Sequence, residues 1–190
     1  MKWIFYLSFI CSALSAWSFE DEQVGTYSFQ WDHKEDFHLI DDLFIQSFKY
    51  AYDSFTPGEL GLENVETFLQ GVIADEQELW NNERESIHWL IIKKTEEVVG
   101  LLILELKEFP KVYVRQMAIS PNYMRLGIGK MAANIVLKNL PGVERIVAVT
   151  RVLNKTSQCF LEELGFIPTE DIHDGFDSNK YVGMDYLKTN

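Results

Sequence analysis

Between Pro121 and Lys130 the chain reads PNYMRLGIGK, which sets Gly127 and Gly129 one residue apart between Arg125 and Lys130, ahead of an apolar stripe at helical spacing. Bare backbone beside cationic side chains at the start of a helix suits an anion. Unpaired amides and the positive end of the helix dipole attract phosphate, and glycine lets it approach the main chain. A Walker-type loop is excluded, because it needs Ser or Thr after the lysine to hold magnesium and Met131 stands there. The dinucleotide fingerprint G-x-G-x-x-G/A is matched by Gly127, Gly129 and Ala132. In that motif, however, the first glycine follows its strand directly, whereas here Ser120 to Leu126, with Pro121 among them, intervene. Two readings stay open on these residues alone: an anion cradle, or glycines that only cap and pack a turn.

Other chemistries are poorly supplied. Cys11 and Cys159 are the only cysteines, so there is neither a disulfide framework nor a cysteine-rich metal site. His33, His38, His88 and His173 lack the spacing that places two ligands on one helix face, and no metal is expected. The formal net charge of −12, with no dense Lys/Arg cluster, argues against a nucleic-acid partner and suits a cationic or neutral small substrate.

The elements that must position the glycine turn follow from periodicity. TYSFQW alternates as a strand, and Phe37, Ile40, Phe44, Phe48 and Ala51 recur as one helix face. After the breaker TPGELG, Val65, Phe68, Leu69, Val72 and Ile73 line a second helix. IHWLII, VVGLLILEL and VYVRQMAIS form a meander of strands joined by short connections. GKMAANIVLKNL follows as a helix with Ala132, Ile135, Val136 and Leu140 on one side, stopped by Pro141 and Gly142. RIVAVT, NKTSQCFLEELGF and KYVGMDYL complete the order as strand, helix and strand. The sum is an α+β domain over 24–190 with a mostly antiparallel sheet and one parallel pair, made where the third helix returns the chain from MAI to RIVAVT.

The N-terminus reads differently. MKWIFYLSFICSALSA has Lys2, an apolar run from Trp3 to about Ala13 and small residues ending at Ala16, the pattern of a secretory leader over 1–16. The run is shorter than the ~20 residues a membrane span needs. The alternative is a buried first strand or helix of the domain.

In their order and spacing, MAISPNYMRLGIGK and the downstream Asn154, Ser157, Phe160, Gly165 and Phe166 resemble the GCN5-related N-acetyltransferase family. There a strand ending in an apolar triplet runs through P-x-x-R-x-x-G-x-G into a helix. The resemblance covers roughly Thr26 to Leu187. It implies a central sheet with helices on both faces and a splayed parallel strand pair whose gap takes acetyl-CoA as co-substrate. The backbone of Met117, Ala118 and Ile119 would hold the pantetheine arm. Amides from Arg125 through Leu126, Gly127, Ile128 and Gly129 to Lys130 would hold the diphosphate, and Asn154 would assist near the cofactor's middle.

The implied reaction is direct attack of a primary amine, on a small molecule or a protein, upon the thioester. The sequence departs from the family at Leu161, where many members carry a tyrosine acid, and at Met124, where the pattern prefers Arg or Gln. Tyr113 occupies the place of a glutamate base. Strict alternation puts it on the strand face of Met117, as a proton donor rather than a base. Glu105 is a second base candidate or a surface residue. Two other functions compete: a degenerate acyl-CoA-binding module, and an exported interaction protein on the same scaffold. Acetyl-CoA is an intracellular metabolite, so an active enzyme would retain the leader or work in another cell's cytoplasm.

Overall fold

The structure is a computed structural model that describes residues 19–32, 37–82, 86–170, 172 and 175–188. The leader over 1–16, Cys11, His33 and His173 lie outside them. Eight strands make one sheet in the order β1-β2-β3-β4-β5-β6-β8-β7. They are β1 Glu22–Val24, β2 Tyr27–Trp31, β3 Ile87–Lys94, β4 Glu97–Glu105, β5 Lys111–Ile119, β6 Arg145–Arg151, β7 Ile167–Thr169 and β8 Tyr181–Leu187. The α-helices among the described residues are α1 Phe37–Tyr52, α2 Val65–Asn82, α3 Ile128–Asn139 and α4 Lys155–Glu163, and a 3-10 turn at Pro121–Tyr123 precedes α3.

Strands β3 and β4 are apolar almost throughout because both their faces are covered. Trp89, Ile91, Leu101 and Ile103 pack with Ile40, Leu43 and Phe44 of α1 and Leu79 of α2. Leu90, Ile92, Leu102 and Leu104 pack with Ile128, Ala132, Ile135, Val136 and Leu140 of the α3 segment and Leu161 of α4. The α3 stripe is the one its sequence spacing predicts. On α2 the buried residues are Leu69, Glu76 and Leu79, so the expected Val72 and Ile73 side is only half covered.

All neighbouring strands pair antiparallel except β5 and β6. That parallel pair holds only from Lys111–Arg145 to Val114–Ala148. Beyond it, Arg115 to Ile119 lose their partner on that edge, while β6 stays paired to β8 up to Arg151–Tyr181. The parting coincides with a bulge: Val114 faces Leu104 and Gln116 faces Ile103, leaving Arg115 as the extra residue. A bulge bends and twists its strand, and here it carries β5 away from β6. The strands β1 and β7, each three residues long, escape a periodicity reading because so short a run shows no alternation. Ahead of β1, Phe19 stacks on Trp31 at 4.4 Å between ring centroids.

Candidate active site

A cleft of about 400 Å³ runs through the gap between β5 and β6. Its walls come from Phe44, Phe48 and Tyr52 of α1, Phe68 and Glu76 of α2, Tyr113 to Met117 of β5, and the end of β6. Asn154, Ser157, Phe160 and Leu161 of the α4 segment close its far side. Side chains from both faces of the sheet therefore meet in one opening, which only a parted strand pair allows.

The glycine turn lies beside this opening. Gly127 caps α3 with φ 80° and ψ 2°, and no side chain caps the helix. The first intrahelical bond is from the Met131 N–H to the Gly127 carbonyl at 3.0 Å. Among the described residues no acceptor meets the amides of Ile128, Gly129 and Lys130 ahead of it. The two glycines are there for different reasons. A Cβ on Gly127 would meet nothing within 4 Å, so its need is the left-handed φ and its flank is open. A Cβ on Gly129 would come 2.9 Å from Met117 Cε and 3.1 Å from Phe160 Cζ, both cleft-lining side chains, so its need is close packing. Arg125, itself left-handed at φ 61°, and Leu126 are exposed. The Lys130 ammonium lies 3.9 Å from the Glu163 carboxylate.

Of the strand residues expected to serve through their backbone, Ala118 is buried against the α1 cluster, and Met117 and Ile119 pack toward α3. Alternation fails for Tyr113, which does not share a face with Met117. Val112 and Val114 pack on the α3 side with Met117 and Ile119, so the extra residue Arg115 reverses the parity between them and leaves Tyr113 on the α2 side. Tyr113 still lines the cleft, and burial pushes its phenol up to about 12.

Two functional-looking groups escaped the sequence reading. Glu76 is 3% exposed on α2, and burial raises its carboxyl above the usual range even though Arg115 pulls it down. Arg115 sits 3.4 Å from Glu76 and 3.0 Å from Glu105, so Glu105 is drawn into an interior pair rather than left on the surface. The signal was a glutamate seven residues after Leu69 on an apolar stripe. Arg151, 6% exposed, lies beneath the rings of Tyr52, Phe68 and Tyr181 at 5.9, 5.2 and 5.0 Å, and donates to the Leu60 carbonyl. It thereby ties the loop after α1 to the end of β6.

Asn154 caps α4: its Oδ1 accepts the Ser157 N–H at 3.0 Å. Its Nδ2 donates to the Tyr52 hydroxyl at 3.2 Å. Leu161 is buried in the core. Among the described residues no three of His, Cys, Asp and Glu gather as a metal site, and no helix is long and apolar enough to cross a membrane. His88 bonds Asp32 at 2.8 Å, away from the cleft walls.

The model of the family described as "Acetyltransferase (GNAT) family" matches residues 48–166, from the last turn of α1 to the residue before β7. The chain belongs to the GNAT acetyltransferase family. Solved structures repeat the GNAT fold. An acetyltransferase from Thermus thermophilus is 21% identical with a TM-score of 0.63, covering 84% of this chain and 97% of its own. A PaiA N-acetyltransferase from Thermoplasma acidophilum, in complex with coenzyme A, is 16% identical with a TM-score of 0.64, covering 84% and 99%. A spermidine N-acetyltransferase from Vibrio cholerae, in complex with CoA and spermine, is 17% identical with a TM-score of 0.60, covering 85% and 95%. No curated protein matches the sequence.

Proposed function

We propose that this GNAT protein is an acetyl-CoA-dependent N-acetyltransferase acting on a primary amine. The observation that carries the reading is the parting of β5 from β6 after Val114, with a cleft running through the gap. The free edge of β5 offers main-chain groups that are costly to leave unpaired, and an extended amide-bearing arm satisfies them. In this reading Met117, Ala118 and Ile119 hold that arm through their backbone. The bare amides at the start of α3 and the open flank of Gly127 suit a diphosphate, taken by Arg125 to Lys130. In the same reading Asn154, the cap of α4, assists near the middle of the cofactor.

Acetyl-CoA supplies the activated acyl group. In this reading the acceptor enters from the side of α1 and α2, where Phe44, Phe48 and Phe68 line the cleft. Tyr113, protonated far above neutral pH, serves there as a hydrogen-bond donor and not as a base. The leader over 1–16 belongs to the same proposal, and a mature chain that begins at Met1 in the native cell removes it.

A second reading, an acyl-CoA-binding module without turnover, is favoured by the buried Leu161 at the position of the family's tyrosine. Single-turnover transfer of labelled acetyl to a panel of small amines and basic peptides separates the two. Transfer to any of them supports the enzyme, and tight coenzyme A binding with no transfer supports the module.

A further inference from the structure

We infer that Tyr52 is the proton donor of this site, an inference that rests on the transferase reading. At the cap of α4, Asn154 Oδ1 accepts from the Ser157 N–H, so the amide is oriented and its Nδ2 is the group that faces Tyr52. An amide NH₂ only donates, so the Tyr52 oxygen accepts and the phenolic hydrogen stays free. No acceptor among the described residues takes that hydrogen. The protein thus holds a phenol by its oxygen at the wall of the cleft, with the proton left to give away.

The other tyrosines of the cleft are placed less well. Tyr113 lies beside the paired root of β5, opposite Val147. Tyr181 covers Arg151 with its ring and meets Phe176, and no protein group orients its hydroxyl among the described residues. Tyr52 is tied to the cap of α4, just beyond the end of β6 where the strands have parted. Leu161, about two turns along α4 from the Asn154 cap, is buried in the core and has no proton to offer. The charged and titratable groups facing Tyr52 are Arg151 from β6 and Tyr181 from β8; Phe48 and Phe55, whose rings pack on it, are neutral. Burial raises the phenol above its ordinary value, so it enters the reaction protonated at neutral pH.

The step balances. The acceptor nitrogen forms its bond to the acyl carbon and loses a proton to water. Tyr52 gives its hydroxyl hydrogen to the departing sulfur as the carbon–sulfur bond breaks with its electron pair, and the phenolate regains a proton from solvent.

Two readouts test this: single-turnover acetyl transfer, and the thiolate absorbance of bound coenzyme A titrated against pH, which needs no turnover. Tyr52→Phe keeps the ring packing on Phe48 and Arg151. It is expected to slow transfer by about 10²-fold, the usual worth of a positioned proton donor, and to raise the pKa of the bound thiol, with coenzyme A affinity unchanged. Asn154→Asp retains the cap but turns the hydrogen bond round, so that the carboxylate takes the phenolic hydrogen, and it reproduces both losses. Tyr181→Phe leaves both as in the wild type. Wild-type transfer and thiol titration in Tyr52→Phe overturn the inference, as does a loss confined to affinity or melting temperature, which marks a packing role. If the wild type binds no coenzyme A, the transferase reading falls first and this inference with it.

Discussion

Gly127 and Gly129 look alike in the sequence and differ in what they resist. Gly127→Ala strains a left-handed residue and costs about 1 to 2 kcal/mol, while its methyl projects into the open flank proposed for the diphosphate. Coenzyme A affinity is therefore expected to fall roughly tenfold, about 1.4 kcal/mol, in calorimetric titration. Gly129→Ala pushes into Met117 and Phe160 and is expected to cost about 1 to 3 kcal/mol in denaturant unfolding, as overpacking does. Tyr113 provides a pH test. Its folded pKa of about 12 lies above the ordinary 10.0, so its contribution is whole below pH 10 and is lost as pH rises toward 12, where only the unfolded chain ionises. Tyr113→Phe should remove a loss of roughly 2 to 3 kcal/mol across that window, read from denaturant midpoints at its two ends. Residue types were legible at the glycine turn and at Asn154. Glu76 and Arg151 were not, because a charge on an apolar stripe declares its burial only once the stripe's partner is known.

At the scale of elements, the order of strands and helices was legible wherever a run was long enough to show its period, as in α3 and the meander from Ile87 to Ser120. What the sequence withheld was the bulge at Arg115. Alternation counts two residues per repeat and has no symbol for an extra one, so Tyr113 was assigned the wrong face while the strand itself was found. The parallel pair was foreseen from its crossover helix, whereas its limit at Val114 depends on that same extra residue. The α4 cap belongs to this scale as well. Asn154→Ala removes the acceptor for the Ser157 N–H and is expected to lower stability by about 1 kcal/mol, seen as a lower unfolding midpoint with faster amide exchange at the start of α4.

Across the whole molecule, a sheet opens at one seam, a cleft passes through it, and a helix starts bare beside it. The bare start of α3, proposed above as the diphosphate site, was legible because a pair of glycines ahead of an apolar helical stripe is a local signal. The wall proposed for the acceptor was not, because it is assembled from α1 and α2, segments that meet only in the fold. Amide chemical shifts followed while coenzyme A is titrated into the labelled protein test the central claim most directly. Shifts are expected at Met117 to Ile119 and at Arg125 to Lys130, strongest at Gly127 to Lys130. Binding that leaves those amides unmoved, or no binding at all, would contradict it.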